Sequence, residues 1–153
     1  MPKNRQEVPH AERRTLVVDE ARRQFADKGY RGTTVTSIAK AVDLTSAAIH
    51  WYFPTKDDLF AAALAAMFQE ATTRVSTRPE SRDDPRAELV GVLEEMHPYK
   101  GLFREAYERM TFSAELRETY SDVMGWVDQR LIGAISRRAP EGDIGLLADT
   151  AHV

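Results

Sequence analysis

The 153-residue sequence contains no cysteine. A disulfide framework, a thiolate metal site and a cysteine nucleophile are therefore excluded within it, and the absence fits a cytoplasmic protein. No run reaches the roughly 18 apolar residues of a membrane span, and the charged start, residues 1–5, is not followed by the apolar stretch of a signal peptide. We therefore expect neither secretion nor membrane insertion.

Residues that carry catalysis or bind metals are also sparse. The four histidines fall in no spacing typical of a metal site; they are His10, His50, His97 and His152. Neighbouring carboxylates such as Glu94 and Glu95 are typical of a solvated helix face. We expect no enzyme activity, no metal site and no cofactor.

Hydrophobic residues make up 42% of the chain and charged residues 29%, which is typical of a folded protein. Charge is unevenly distributed. Up to Lys56 there are ten Lys and Arg against six Asp and Glu, and after it eleven against eighteen. A basic first third favours contact with nucleic-acid phosphates, although a solvated helix face gives the same count.

Apolar periodicity predicts three helices in this basic segment. The first covers residues 10–28, the second runs from a Thr34 cap to about residue 43, and the third covers 46–52 after a Thr45 cap. The apolar face of the first helix carries Val17, Val18, Ala21 and Phe25. Two short helices separated by about three residues indicate a helix-turn-helix.

The remainder is also predicted to be helical, so the expected fold class is all-α. The next helix begins with the capping pattern 55–58 and ends before a loop at 76–84. Further helices are predicted at 85–97, 99–110 and 113–138. We expect a helix-turn-helix domain at 1–56 and a helical domain at 57–153.

A final helical pattern starts at Asp143, and its apolar residues are Ile144, Leu147, Ala148 and Ala151. It runs to Val153 without a cap, a glycine or a polar tail. We expect the helical domain to be incomplete in this sequence.

The amino-acid sequence of residues 14–59, about a third of the chain, resembles the DNA-binding domain of TetR-family transcriptional regulators. The string 51–59 is especially similar to the end of that domain. The matching residues are Val17, Val18, Ala21, Phe25, Gly29, Tyr30, Thr34, Ile38, Ala39, Leu44, Thr45, Ile49, Phe53, Lys56 and Leu59.

The resemblance implies a set of DNA-contacting residues, namely Thr33, Thr34, Ser46, Ala47, Ala48, His50, Trp51, Tyr52 and Lys56. Small or polar residues suit the first turn of a helix in the major groove, because base edges lie close there. The alternative is that Ala47 and Ala48 are simply good helix formers, and that Tyr52 is a half-buried core aromatic. Lys56 is the strongest candidate for a phosphate contact, since it begins a helix whose N-terminus also favours an anion.

Two positions depart from the family pattern. Asp43 stands where the turn usually has glycine, and Asp is one of the few residues that tolerate a positive φ. His50 stands where a phosphate-contacting tyrosine is usual. We expect the fold to survive both changes and the details of DNA contact to differ.

The resemblance further implies a homodimeric repressor that binds a palindromic operator in double-stranded DNA and responds to a small-molecule effector. With an incomplete second domain, we expect weak dimerisation of this chain. Met and aromatic residues are the candidates for effector binding, and ordinary core packing explains the same spacing. They are Met67, Met96, His97, Tyr107, Met110, Phe112, Tyr120, Met124 and Trp126. The competing function is a helical protein-interaction module that binds no DNA.

Overall fold

The computed structural model describes residues 10–137, and within them the chain is helical without a strand. The predicted all-α class is confirmed. Seven α-helices follow one another: α1 (His10–Gly32), α2 (Val35–Ala41), α3 (Ser46–Tyr52), α4 (Lys56–Ser76), α5 (Pro85–Met96), α6 (Lys100–Arg109) and α7 (Ala114–Ser136). The helical pattern predicted from Asp143 lies outside the described residues.

Local capping explains where several helices begin. The Thr55 hydroxyl accepts from the Asp58 N–H at 3.1 Å, and the Asp58 carboxylate accepts from the Thr55 N–H at 2.7 Å, as the capping pattern predicts. The Asp84 carboxylate caps α5 at Arg86. The predicted loop 76–84 contains one short 3-10 turn, Pro79–Ser81.

The helices fall into two compact units. The first holds residues 10–67 together with Pro98–Tyr120, and the second holds Phe68–His97 together with residues 121–137. The segment containing α6 therefore packs with the N-terminal helices. The division after residue 56 remains a prediction.

Aromatic and aliphatic side chains build the core of the first unit. Phe25, Tyr30 and Phe60 are buried, and the Phe60 ring centroid lies 4.8 Å from that of Phe25 and 5.0 Å from that of Tyr30. Ile38 of α2 and Ile49 of α3 are fully buried as well. This core holds the two short helices against α1.

The core of the second unit is aliphatic, and ion pairs surround it. Leu89 and Val92 of α5 are buried, as is Val123 of α7. The Arg130 guanidinium bonds both oxygens of the Glu88 carboxylate, at 2.8 and 3.2 Å, and thereby links α7 to α5.

The first helix, predicted to end at residue 28, has a kink at the next residue, Gly29, within α1. Gly29 has a φ of 70° and a ψ of 178°, a combination that residues with a side chain rarely adopt. The kink turns the chain so that the Tyr30 N–H donates to the Glu105 carboxylate at 3.0 Å. A glycine is therefore required here for its backbone conformation.

We expect Gly29→Ala to lower the free energy of unfolding by about 1–3 kcal/mol, because the added Cβ makes this backbone conformation strained. The space itself is adequate, since the nearest atom to a Cβ lies at 3.6 Å. Urea unfolding measures the effect. The control is Gly125→Ala in α7, where a Cβ meets nothing within 4 Å and stability should rise by up to about 1 kcal/mol. An unchanged Gly29→Ala midpoint would contradict the assignment.

Candidate nucleic-acid interface

Two capped helices and a tight turn form the helix-turn-helix. Thr34 caps α2 in a capping box with Ser37, and the Thr45 hydroxyl accepts from the Ala48 N–H at 3.1 Å to cap α3. Between the helices, Asp43 has a φ of 54°. The expectation that Asp43 replaces the usual glycine with a positive φ is confirmed, so the turn keeps its geometry.

A buried amide fixes α2 on α1. Gln24 is almost fully buried; its side-chain N–H donates to the Ser37 carbonyl at 3.2 Å, and its carbonyl accepts from the Ser37 hydroxyl at 2.5 Å. Glu20 accepts from the same amide at 2.7 Å. Hydrogen bonds from Arg23 lower the pKa of Glu20 to about 2, so the acceptor stays ionised near neutral pH. The scaffold under α3 is thus held by satisfied polar contacts as well as by the core.

The outer face of α3 presents small residues and one large aromatic. Ala47 is exposed, and Ser46 and Ala48 are half-buried at the start of the helix. The Ser46 hydroxyl donates to the Thr36 hydroxyl of α2 at 3.2 Å. Trp51 is 70% exposed. Trp51 lies four residues after Ala47, so the two share one exposed face of α3.

An aromatic cluster joins the start of α1 to the end of α3. The His10 ring lies 4.5 Å from the rings of both Trp51 and Tyr52, and the latter two are 5.1 Å apart. Tyr52 is half-buried, so part of its side chain packs against the protein, as the alternative interpretation holds, and the rest is accessible. Sequence reasoning missed His10 as a member of this surface, because no local pattern joins residues 41 positions apart.

His50 is exposed, and one of its ring nitrogens is engaged. Its Nδ1 lies 3.3 Å from the Phe53 carbonyl oxygen and 3.1 Å from that of Pro54. Carbonyl oxygens only accept, which assigns the hydrogen to Nδ1. Nε2 of the neutral ring is then an acceptor. A phosphate, which also accepts, receives a hydrogen bond from Nε2 only when the ring is protonated.

The structure corrects the prediction for Thr33. Its side chain is fully buried, and its hydroxyl donates to the Gly29 carbonyl at 2.9 Å. The Thr33 side chain therefore stabilises the kink in α1 and is not on the surface. Thr34 is exposed, but its hydroxyl already accepts from the Ser37 N–H at 3.0 Å.

Lys56 is half-buried at the start of α4 and reaches back to α1. Its Nζ donates to the Tyr30 carbonyl at 2.6 Å and lies 3.9 Å from the centre of the Tyr30 ring. Burial and the nearby Arg109 charge lower the pKa of Lys56. An ammonium has three N–H donors, and this contact uses one of them.

The nine candidates for effector binding are divided between the two units. In the first unit Met67 is buried, Met110 and Tyr120 are half-buried, Tyr107 lies 5.7 Å from Tyr120, and Phe112 is 81% exposed. In the second, Met96 is buried, His97 and Met124 are exposed, and the Trp126 ring stands edge-on to Phe68 at 5.3 Å.

An open groove of about 600 Å³ lies along α1 in the first unit. Met67 belongs to its lining, and four charged residues line it as well: Asp19, Arg22, Arg23 and Asp27. An ion pair joins Asp19 to Arg22.

Comparison with known proteins identifies this arrangement. Residues 17–63 match the family model described as bacterial regulatory proteins, tetR family. Residues 17–63 belong to the TetR family. The match covers α2 and α3 in full, along with most of α1 and the start of α4, so the TetR-family model coincides with the helix-turn-helix and its scaffold.

Curated relatives of the chain are transcriptional regulators. An HTH-type transcriptional repressor of Mycobacterium tuberculosis is 30% identical over 119 residues, which is 78% of this chain and 59% of the relative. The regulator PksA of Bacillus subtilis is 29% identical over 98 residues, or 64% of this chain and 46% of the relative. The chain thus spans about half the length of these relatives.

Solved structures share the fold. The multidrug binding protein EbrR complexed with proflavin superposes with a TM-score of 0.60 at 28% identity, covering 80% of this chain and 76% of EbrR. A transcriptional regulator of Saccharomonospora viridis in complex with choline gives a TM-score of 0.65 at 22% identity, covering 92% of this chain and 80% of that one. The second likeness concerns the fold alone.

Proposed function

We propose that this chain is a transcriptional repressor that binds a palindromic operator as a homodimer through α3 and releases it when a small-molecule effector binds. The observation that carries the proposal is the outer face of α3, where small residues and exposed Trp51 stand on a rigidly held helix. A major groove admits such a helix and places its first turn next to base edges. A dimer with two-fold symmetry matches a palindromic operator. The proposed location is the cytoplasm, where the protein would meet that DNA.

The residues proposed to contact DNA occupy two roles. Ser46, Ala47 and Ala48 lie on the first turn of α3 and face base edges. The surrounding residues are proposed to contact the sugar–phosphate backbone of the DNA. They are Thr34, His50, Trp51, Tyr52 and Lys56. Backbone contacts set the register on the duplex and carry no sequence information, whereas contacts with base edges supply specificity.

The effector is proposed to be a small organic molecule bound by the helical part of the chain. The support is EbrR, which is 28% identical and was solved with proflavin. The chain has two tryptophans, so Trp51→Phe leaves Trp126 as a single fluorophore. Quenching of Trp126 by proflavin in this variant, together with release of a bound duplex from the wild type, is the expected result; quenching without release would argue against effector control.

Selection of duplexes from a random pool tests the function itself. We expect enrichment of a palindromic motif and an affinity that falls steeply with salt, because bound phosphates release counterions. A protein-interaction module gives no enrichment and no salt-dependent duplex binding.

His50 gives this binding a pH dependence. Because Nδ1 is engaged by backbone carbonyls, a phosphate contact through Nε2 requires uptake of one proton. We expect duplex affinity to fall as the pH rises, by up to about tenfold per pH unit, because binding takes up one proton. The His50→Gln variant should lose this dependence.

The control for this prediction is His10→Gln. The His10 ring lies 4.5 Å from Trp51 and places a second imidazole at the proposed DNA surface. Affinity is measured at fixed ionic strength for the wild type and both variants. Parallel profiles for the wild type and His50→Gln would rule out the charged histidine and leave DNA binding intact.

A further inference from the structure

We propose that Arg109 of α6 is a positioning residue for duplex binding: it holds the Asp57 carboxylate and so leaves the Lys56 ammonium available to a DNA phosphate. The inference rests on the proposed function. Arg109 lies far from α3 in sequence and outside the segment that matches the family model, residues 17–63.

The contact between Arg109 and Asp57 uses both carboxylate oxygens. Arg109 Nε lies 2.7 Å from Oδ1 and the terminal nitrogen Nη2 lies 2.9 Å from Oδ2. Such a bidentate pair fixes the orientation of both side chains as well as joining their charges. Asp57 is 14% exposed and Arg109 35% exposed, so water screens the pair only in part.

Tyr30 connects this pair to Lys56. Its hydroxyl donates to Asp57 Oδ1 at 2.5 Å, and its ring has the Lys56 ammonium at 3.9 Å and the Arg109 guanidinium at 4.2 Å. Its carbonyl accepts from Lys56, and its N–H donates to Glu105 of α6. Glu105 and Arg109 of α6 thus both contact Tyr30 of α1, and Tyr30 in turn contacts Lys56.

The charges in this cluster explain how Arg109 affects Lys56 through the Asp57 carboxylate. Hydrogen bonds from Arg109, and next from Tyr30, keep the pKa of Asp57 below its ordinary value, so the carboxylate is ionised. It is adjacent to Lys56 in sequence. Arg109 and Tyr30 together occupy three of the roughly four acceptor positions on its two oxygens, so the carboxylate has little capacity left to pair with the ammonium. Without Arg109, the freed carboxylate competes with a phosphate for Lys56.

The test measures duplex affinity against salt for the full chain. In Arg109→Gln, we expect the log–log salt slope to fall by about one unit and the affinity to drop about tenfold near 0.1 M salt, as expected when one phosphate contact is lost. Adding Asp57→Asn to Arg109→Gln should restore the slope, because the competing carboxylate is then gone. A purely structural role predicts that the second change makes binding worse.

The chain offers a matched control in Arg130→Gln. Arg130 also forms a bidentate pair, with Glu88, and lies over an aromatic ring, that of Trp126, at 4.8 Å. Its side chain is 29% exposed and that of Glu88 17% exposed. Arg130→Gln should cost a similar amount of thermal stability and leave the salt slope unchanged. Should Arg109→Gln fail to fold, Arg109→Lys is the second variant, and its slope should stay at the wild-type value because a cation still occupies Asp57.

Three results would overturn the inference: an unchanged slope in Arg109→Gln, no recovery on adding Asp57→Asn, or a further fall in slope when Arg109→Gln is added to Lys56→Ala. The last would mean that Arg109 contacts DNA directly. An absence of salt-dependent duplex binding in the wild type would overturn the proposed function instead, so the two failures are distinguishable.

Discussion

Phe60→Ala is expected to lower the free energy of unfolding by about 3–5 kcal/mol. Phe60 is fully buried, and its ring packs against both Phe25 and Tyr30. Truncation therefore removes apolar burial and leaves a cavity beside Phe25 and Tyr30 of α1. Urea or thermal unfolding measures the loss.

The matched control for Phe60 is Phe112→Ala. Phe112 is 81% exposed, so its truncation should change stability by no more than about 0.5 kcal/mol. A loss below about 1 kcal/mol for Phe60→Ala would mean that the core described around α1 and α4 is wrong.

Lys56→Ala is expected to weaken binding to every duplex sequence alike. The salt slope should fall by about one unit, and affinity near 0.1 M salt should drop about tenfold, because a phosphate contact is blind to sequence. The contacts from Lys56 to the Tyr30 carbonyl and ring add a loss of stability. Affinity is therefore compared at a temperature where both proteins are folded.

The control for Lys56 is Lys100→Ala, which removes an exposed lysine at the start of α6. It should leave the slope unchanged. A Lys56→Ala variant that keeps the wild-type slope, or one that changes the selected motif, would contradict a phosphate contact at this position.

Features set by neighbouring residues were predictable from the sequence. The bounds of α3, the Thr45 cap and the positive φ of Asp43 follow from interactions within a few residues. The break at Gly29 follows from the same local chemistry, although the helix resumes for a short stretch beyond it. Local signals therefore predicted the helix-turn-helix and its scaffold.

Features that join distant segments were not predictable. His10 meets Trp51 across 41 positions, and Arg109 meets Asp57 across 52. Each contact depends on how complete helices pack, which periodicity does not encode. The burial of Thr33 was not predictable for a related reason. Its hydroxyl bonds to the Gly29 carbonyl at the kink in the backbone, whereas the sequence alone indicates an exposed threonine beside a helix cap.

The residues that line an effector site were also not predictable from the sequence. Met67 and Met96 are buried in different units, while Phe112 and Met124 are exposed. Residue type and helical spacing describe a lining residue and a core residue equally well, so they do not identify which side chains share a site. The nine residues remain candidates for the proposed function.

Recognition of duplex DNA by α3 is tested most directly by binding of the full chain to a pool-selected duplex across about 50 to 200 mM salt. We expect an enriched palindromic motif and an affinity that decreases linearly in a log–log plot, with a slope corresponding to several phosphates. No enriched motif, or an affinity independent of salt, would contradict DNA recognition by α3.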